Sequence, residues 1–559
     1  MQAEIRKAIQ NVLTDLGVTD VDFVVEHPSD ISHGDYATNV AMVCAKGLGK
    51  NPREIAEQFL AALAGKIPHV ESITIAGPGF INFTLHRDFF SEKIADITAH
   101  PDTWGRNDSQ KGEEVVFEYT SPNLFKPLHI GNLVGNIIGE SISRLFESAG
   151  ANVHRANYPS DIGLTVAKGV WGLKKTGGDP DQIQSLGEAY RVGNEAYETD
   201  PEMKEEIEAI NRALYAGTDA ALSELRERGL ETSKKRLEEL MAVLGTSFNT
   251  VIYESEASEP GKKLVLAHVG EVFEESAGAI VYRGEKCGLH TRVFINSQGL
   301  PTYEAKDVGH FSLKLAAYPS WTQSYIVTGS EQSEYFKVLI AALRELFPDA
   351  KGKHIEHIAT GFLTLTTGKM SSRKGNVLTG ESLLSEVEEA AHEKASESRT
   401  DNIDELTQIV AVAALKYQIL RQAPGTNIIF DKERALSFEG DSGPYLQYTH
   451  ARIVSVLEKA KGEGVIPNTS ATPDVPYLIE KTLYRFPEVV REALDERAPH
   501  KVTVYLTELA GAFNSFYGEE KIADASDVHA PYKVAIADAV RITLKNGLWV
   551  LGIKAPERM

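Results

Sequence analysis

Hydrophobic and polar positions in the middle of the chain alternate between two periodicities. Residues 114–119 read EVVFEY, a largely apolar run that is typical of a buried strand. Apolar side chains then recur at helical spacing in 132–148, and 153–158 is again strand-like. A strand, a helix and a second strand in this order predict a βαβ unit. We therefore expect an α/β region built on a doubly wound, parallel, Rossmann-like sheet.

The regions on either side of this unit have different patterns. The first part of the chain begins with a helical pattern and contains a strand-like run, 72–85, broken by a turn at Gly77. This indicates a small α/β domain, whereas the last part is almost entirely helical in pattern and indicates a helical bundle. The expected domains are 1–105, 106–400 with a charged helical insertion at about 166–290, and 401–559.

Composition narrows the class of protein. The 559 residues exceed one ordinary core and fit two to four domains. Only Cys44 and Cys287 occur, which excludes a disulfide framework and a cysteine-rich zinc module. The N-terminus lacks the apolar core of a signal peptide, and no run is long and apolar enough to span a membrane, so we expect a cytoplasmic protein. A net charge of −21 argues mildly against nucleic-acid binding, although a basic face can lie on an acidic body.

The segment 121–132, SPNLFKPLHIGN, joins the predicted buried strand to the predicted helix. Doubly wound sheets bind nucleotides at such turns, where a helix N-terminus offers free N–H groups to a phosphate. Gly131 would allow a close approach to the backbone, while His129 and Lys126 could act on phosphate oxygens. A lone histidine in this position would more often be an ordinary surface residue, so the prediction depends on its position and on the lysine.

A second segment, 368–375, reads GKMSSRKG and places three cations among small residues. Such a loop could close over a triphosphate and neutralise charge during phosphoryl transfer. It is not a Walker loop, because Leu363 occupies the position of the first glycine of GxxxxGK[ST]. In isolation, the segment is equally compatible with a solvated surface loop.

Together the two segments resemble the HIGH and KMSKS signatures of class I aminoacyl-tRNA synthetases. The run 118–132 is similar to the arginyl-tRNA synthetase version, whose pattern is close to EFSSPNxxKPxHxGH. Further similarity covers most of the chain apart from the insertion, at 77–83, 292–307, 443–448 and 551–559. The resemblance implies activation of L-arginine by ATP, accompanied by Mg²⁺ and without a protein-bound metal, then transfer to tRNA(Arg). It also implies a monomer.

The resemblance also assigns the ATP-binding and catalytic residues: Lys126, His129, Gly131, Asn132, Lys369, Met370, Ser371 and Ser372. Two of them depart from the signatures. Asn132 replaces the second histidine of HIGH, and Ser372 stands where KMSKS has its second lysine. Family members without that lysine tend to have one just before HIGH, so we expect Lys126 to supply the missing cation.

Arginine recognition calls for carboxylates that match the fork of a guanidinium. The resemblance assigns this role to Glu118 and Asp307, with Tyr303 and Gln332 lining the pocket. Asn123 and Ser121 are expected to hold the backbone end of the amino acid. Without the resemblance, Glu118 would be interpreted as an exposed strand end and Asp307 as an acid on a helix surface.

The expected tRNA contacts are aromatic or amide side chains, because RNA is commonly read by stacking and by hydrogen bonds to base edges. Phe80 and Asn82 match a family position that reads the D-loop, and Tyr445 and Tyr448 could stack on anticodon bases. Core packing is the alternative for all four, and it is strongest for Phe80 and Tyr448. The run KHIEHI at 353–358 is better explained by strand alternation than by metal binding.

Three alternative functions stay open at this point. A class I synthetase for another amino acid is disfavoured by the N-terminal domain and the set Glu118, Tyr303 and Asp307. A catalytically inactive, synthetase-like tRNA-binding protein is permitted by Asn132 and Ser372, but the presence of His129 and Lys126 argues against it. A generic α/β nucleotide-binding protein would be expected to have a Walker loop or a GxGxxG fingerprint, which the sequence lacks.

Overall fold

A computed structural model describes residues 1–18, 21–366, 379–395 and 402–559. The chain forms two compact units, and neither is continuous in sequence. The first unit contains Met1–Gly105, Arg452–Val489 and Glu508–Asn546. The second unit contains Arg106–Ala451, Val490–Thr507 and Gly547–Met559.

Up to residue 105, the first unit carries a mixed α/β layer. Its strands form an antiparallel sheet in the order β1-β2-β4-β3, covered by helices that bury Ile55, Phe59 and Phe83. The predicted hairpin turn is confirmed, with Gly77 and Gly79 both at positive φ. The elements are α1 Gln2–Asp15, β1 Val25–Glu26, β2 Tyr36–Thr38, α2 Val40–Leu48, α3 Pro52–Leu63, β3 Val70–Ala76, β4 Phe80–Leu85 and α4 Arg87–Ala99.

The second unit is built on a parallel sheet, which confirms the predicted fold class. The strand order is β12-β11-β5-β6-β7, so the chain moves to one side of β5 and later returns to the other. The carboxyl ends of β5 and β11 therefore flank the topological switch point, where such sheets bind ligands. The strands are β5 Glu114–Glu118, β6 Asn152–Asn157, β7 Thr250–Val251, β8 Glu274–Ser276, β9 Ala279–Tyr282, β10 Arg292–Ile295, β11 Gln323–Gly329, β12 His354–Thr360, β13 Leu363–Leu365 and β14 Ile428–Phe430.

The helices of the second unit include the one predicted at 132–148. The helix after the signature turn begins at Ile130, two residues earlier than its apolar periodicity indicated, and is buried along most of its length. The helices are α5 Ile130–Ser148, α6 Leu164–Thr176, α7 Ile183–Thr199, α8 Pro201–Ala216, α9 Ala220–Leu244, α10 Glu254–Ala267, α11 Tyr303–Ala317, α12 Ser333–Leu346, α13 Gly380–Ala395, α14 Ile403–Leu420 and α15 Lys432–Ala435.

The insertion forms a helical core of its own, to which α6, α7, α8 and α9 contribute apolar residues. Within the insertion, β7 was not predicted, and it extends the parallel sheet beside β6. Strands β8, β9 and β10 then form a small antiparallel sheet.

The end of the chain is helical, as predicted, and its residues are divided between the two units. Among the described residues, no helix has the length and apolar character needed to cross a bilayer. The helices are α16 Gly443–Gly462, α17 Leu478–Leu483, α18 Phe486–Asp495, α19 His500–Glu519 and α20 Ala530–Val550.

Candidate active site

The turn after β5 has an unusual backbone that α5 holds in place. Thr120 and Ser121 have φ values of 75° and 38°, in the left-handed region that non-glycine residues rarely adopt. The side-chain amide of Asn132 donates to the carbonyl oxygen of Thr120 at 2.7 Å, and that of Asn136 donates to Thr120 Oγ1 at 3.0 Å. The Ser121 N–H donates to Asn157 Oδ1 at 3.0 Å. These amides offset the strain, so Asn132 has a structural task that sequence reasoning missed.

His129 caps the N-terminus of α5. Its Nδ1 accepts a hydrogen bond from the Gly131 N–H at 3.1 Å, so the neutral ring carries its proton on Nε2. Burial and the nearby charge of Lys126 lower the pKa of His129, against the opposite influence of Glu331. The imidazole is therefore a neutral hydrogen-bond donor at the helix N-terminus.

Lys126 lies three residues before His129 and faces the insertion. Its Nζ is 5.8 Å from the ring centroid of Tyr190, on α7, within the range of a cation–π contact. Burial and the charge of Lys168 lower the pKa of Lys126. The cation that the sequence predicted to act on ATP thus lies against helices α6 and α7 of the insertion.

Lys369, Met370, Ser371 and Ser372, predicted from the second signature, lie outside the described residues. The described chain resumes beside the first signature. Thr379 pairs with His129 in an isolated antiparallel bridge, and the Gly380 N–H donates to the Leu128 carbonyl oxygen at 2.8 Å. Glu381 accepts from the Leu128 N–H at 3.2 Å. Residues 379–381, which follow the second signature in the sequence, are therefore anchored to the first signature.

Glu118, at the carboxyl end of β5, is almost fully buried, with 6% of its surface exposed. Its Oε2 accepts hydrogen bonds from His310 Nε2 and Lys314 Nζ, each at 2.8 Å. Burial alone would raise the pKa of Glu118, but the charges of these two partners hold it well below its usual range. Glu118 is a fixed, ionised carboxylate whose Oε2 is already paired.

Asp307, on α11, is a second carboxylate, and its pKa is shifted in the opposite direction to that of Glu118. Burial raises the pKa of Asp307 to about 8, and the charges of Glu118, Glu254 and Glu304 add to this effect. The hydroxyl of Tyr335 donates to Asp307 Oδ2, and this hydrogen bond works against the rise in the pKa of Asp307. The charges of Glu118 and Asp307 thus act on each other, and we call the group around them the acidic cluster.

Two further residues in this cluster were not found from the sequence. Glu254, at the start of α10, is buried and forms an ion pair with Lys306, which also donates to Tyr215 at 2.9 Å. Tyr158 follows β6 and stacks on His310 at a centroid distance of 3.9 Å. Its hydroxyl is buried without a hydrogen-bond partner among the described residues. Glu254 follows β7 and Tyr158 follows β6, both at the carboxyl edge of the sheet. These positions are the one sequence signal that could have indicated the two residues.

The other predicted arginine-binding residues differ in exposure and in their contacts. Tyr303 begins α11 and is 68% exposed, with Lys306 Nζ 5.2 Å from its ring centroid. Gln332 is exposed in the short turn after β11. Asn123 forms an isolated bridge with Ser160, and Ser121 Oγ is buried without a hydrogen-bond partner within the described ranges.

The predicted RNA contacts lie in different parts of the chain. In the first unit, Phe80 is partly buried and Asn82 is buried within β4, with 5% of its surface exposed. In the second unit, Tyr445 is partly buried at the start of α16. Tyr448 is 38% exposed, with its ring 6.0 Å from that of Phe438.

Among the residues that the structure describes, no group of three or more His, Cys, Asp or Glu side chains is arranged to hold a metal ion. In the run 353–358, His354 pairs with Glu356 at 2.7 Å, and His357 Nε2 lies 2.8 Å from Thr328 Oγ1.

Comparisons with known proteins identify three matching family models. The model described as "tRNA synthetases class I (R), catalytic domain" matches residues 93–432. The "Arginyl tRNA synthetase N terminal domain" matches residues 1–85, and the "DALR anticodon binding domain" matches residues 446–559.

Curated relatives and solved structures match along almost the whole chain. The arginine–tRNA ligase of Limosilactobacillus reuteri is 31% identical, with 100% of this chain and 99% of the relative covered. That of Archaeoglobus fulgidus is 30% identical, with 94% and 95% covered. The arginyl-tRNA synthetase structure from Thermus thermophilus covers 100% of both chains at a TM-score of 0.82 and 26% identity. The Plasmodium falciparum structure, at 20% identity, shares the fold with a TM-score of 0.80 and covers 100% of this chain and 99% of that one.

Proposed function

The chain belongs to the arginyl-tRNA synthetase family, and from this premise we propose that it is an arginine–tRNA ligase. It activates L-arginine with ATP to arginyl-adenylate and transfers the arginine to the 3′ end of tRNA(Arg), releasing pyrophosphate and AMP. The observation that carries the proposal is the match to arginine–tRNA ligases along the whole chain. The relatives named above give no support to the inactive alternative.

ATP is proposed to bind at the N-terminus of α5. The His129 Nε2–H donates to a phosphate oxygen as charge develops there, beside the positive end of the α5 dipole. Asn132 supports this site by holding the Thr120 turn. Lys126 supplies a positive charge for the triphosphate, and Mg²⁺ arrives with ATP as its counter-ion.

Lys369, Met370, Ser371 and Ser372 are proposed to close on the same triphosphate. This proposal rests on their signature and on the attachment of Thr379 and Gly380 to the first signature. A cation on a closing loop reaches the triphosphate only when the loop is closed. It then neutralises the charge of the transition state and leaves the site accessible when the loop is open.

Arginine is proposed to enter the acidic cluster at the carboxyl end of β5. Two carboxylates accept a guanidinium in a planar fork, which the single ammonium of lysine cannot match. Among the described contacts of Glu118, both bonds go to Oε2, which leaves Oε1 for the substrate. Glu118 and Asp307 are proposed to bind the guanidinium, with Tyr303 and Gln332 lining the entrance. Asn123 and Ser121 hold the backbone end.

The reaction needs no covalent enzyme intermediate. The arginine carboxylate attacks the α-phosphorus of ATP in line, and the bond to the pyrophosphate leaving group breaks. The terminal ribose hydroxyl of the tRNA then attacks the carbonyl carbon of the adenylate, with AMP as the leaving group. Orientation and charge neutralisation supply most of the rate enhancement in such transfers.

We propose three tRNA-related roles along the chain. Residues 1–105 bind the D-loop through the exposed part of Phe80, with Asn82 supporting the strand from within. Residues 106–400 hold the catalytic site, and 401–559 bind the anticodon through Tyr445 and Tyr448. The substrates are those of translation, which supports a cytoplasmic location. A monomer is proposed by likeness to the family.

The test is ATP–pyrophosphate exchange with each of the twenty amino acids, with and without total tRNA. We expect exchange with arginine alone, and only when tRNA is present. Exchange with another amino acid would refute the arginine pocket. A folded chain that binds tRNA but catalyses no exchange would refute the ligase.

A further inference from the structure

Phe125 belongs to the loop of the first signature, yet its ring lies inside the core of the insertion. Its backbone φ is 67°, in the left-handed region that is costly for a bulky side chain. The side chain is 1% exposed and packs with Leu186 and other apolar residues of α6 to α9. A strained backbone of this kind persists only where its surroundings fix it.

Two glycines make the space for this ring. A Cβ atom on Gly169, in α6, would lie 2.7 Å from Phe125 Cδ1, and one on Gly229, in α9, would lie 2.4 Å from Phe125 Cζ. The N–H of Phe125 also donates to Ser233 Oγ, one turn further along α9, at 3.2 Å. We call Gly169, Gly229 and Ser233 the Phe125 slot.

The next residue is Lys126, which the same insertion contacts from the other side. Its Nζ faces the ring of Tyr190 on α7, and the charge of Lys168 on α6 also acts on it. Two consecutive residues of the signature loop are therefore held by three helices of the insertion. Since the side chain of Lys126 begins one peptide away from the strained residue, the slot sets its starting direction.

We infer that the helical insertion is a positioning element for adenylate formation: the Phe125 slot fixes the loop backbone so that Lys126 reaches the triphosphate of ATP. This inference deepens the proposed function and rests on it. Phe125, Gly229 and Tyr190 are positioning residues, because they act on ATP only through Lys126. The insertion therefore contributes to adenylate formation by positioning a residue of the ATP site.

The experiment is a double-mutant cycle of Phe125→Ala and Lys126→Ala, measured by arginine-dependent ATP–pyrophosphate exchange in the presence of tRNA. Each single substitution is expected to lower kcat by about tenfold or more, with little change in the KM for arginine. In the Lys126→Ala background, Phe125→Ala is expected to have almost no further effect, because the residue it positions is gone. Circular dichroism and thermal unfolding establish that each variant is folded.

A second pair of variants keeps the test decisive if Phe125→Ala does not fold. Gly229→Ala places a methyl group against the ring and is expected to lower kcat in the same way. Phe125→Leu, added to Gly229→Ala, removes the clash and is expected to restore most of the lost rate. As a control, Leu214→Ala removes an apolar side chain from α8 in the same core. This control should lower the unfolding temperature. At temperatures where the variant is still folded, it should leave the rate of ATP–pyrophosphate exchange unchanged.

Independent, multiplicative effects of Phe125→Ala and Lys126→Ala would overturn the inference, as would full activity in either single variant. A loss caused by Gly229→Ala that Phe125→Leu does not restore would also contradict it. Failure of the proposed function is distinguishable, because the unmodified chain would then show no arginine-dependent exchange at all.

Discussion

At the residue scale, Glu118 and Asp307 show how two carboxylates in one cluster acquire opposite protonation behaviour. His310 and Lys314 surround Glu118 with positive charge or hydrogen-bond donors and keep its pKa low. Asp307 is buried near other acids, and both effects raise its pKa against the hydrogen bond that the Tyr335 hydroxyl donates to it. The sequence predicted both acids, but it could not predict their charges, because the partners of Glu118 lie almost two hundred residues away.

The first prediction concerns the pH dependence of arginine binding. With a pKa of about 8, Asp307 is mostly protonated at neutral pH in the free protein. The guanidinium binds the ionised carboxylate, so arginine binding must release a proton. We expect the apparent dissociation constant for arginine to rise by about tenfold for each pH unit below 8 and to level off above it.

Calorimetric titration of the chain with arginine from pH 6 to pH 9, in buffers of different ionisation enthalpy, measures both the affinity and the proton release. Asp307→Asn is the matched control, since it keeps the shape of the side chain and removes the titration. Its affinity should be weak at every pH. An affinity that is constant for the unmodified chain across this range would show that Asp307 does not pair with the guanidinium.

At the element scale, two glycines set the distance between α10 and α11, the helix that carries Asp307 and His310. A Cβ atom on Gly261 would lie 1.9 Å from the Ala305 carbonyl oxygen, and one on Gly309 would lie 1.9 Å from that of Ala257. The two helices therefore approach backbone to backbone, which only glycine permits. The position of the acidic cluster depends on this approach.

The second prediction follows from that geometry. Gly261→Ala must push α11 away from α10, at a cost of about 1–3 kcal/mol for overpacking. A displacement near 1 Å moves Asp307 and His310 together. We expect the KM for arginine to rise by about tenfold to a hundredfold while the KM for ATP changes little. Gly511→Ala, in α19, is the control, because its Cβ would meet nothing within 4 Å. Equal arginine KM values for the two variants would contradict the prediction.

The sequence predicted elements best where a long apolar pattern met a turn signal. The strands β5 and β6 and the helix α5 follow their periodicity to within two residues. Strand β7 was not predicted, because Thr250–Val251 is too short to show any period. Glu254 was missed with it, since its place in the acidic cluster depends on that unpredicted strand.

At the scale of the whole molecule, chain order and spatial order differ. Residues 1–105 pack with two stretches near the end of the chain to form the first unit. Arg87 Nη1 pairs with Glu480 Oε2 at 2.9 Å, and Tyr36 donates to Glu488 at 2.8 Å. The partners of these pairs are 393 and 452 residues apart, and no local pattern in a sequence encodes such distant contacts, so they could not be predicted.

The last prediction tests whether this long-range packing stabilises the first unit. Glu480 has a fully buried side chain, and Arg87 and Tyr532 are its partners. Arg87→Met leaves a buried carboxylate without its cation, which costs about 3–5 kcal/mol in comparable cases. We expect a lower thermal unfolding temperature and faster proteolytic cleavage within 452–489.

Arg191→Met is the control, because Arg191 pairs with acids at the exposed surface, where an ion pair adds little to stability. In the double variant Arg87→Met with Glu480→Gln, no charge is left buried, and most of the stability should return. Unchanged unfolding of Arg87→Met would mean that the Arg87–Glu480 pair does not stabilise the packing of residues 1–105 with the end of the chain. The expected loss would instead mean that deleting those residues removes support for the helices as well as the D-loop contact proposed for Phe80.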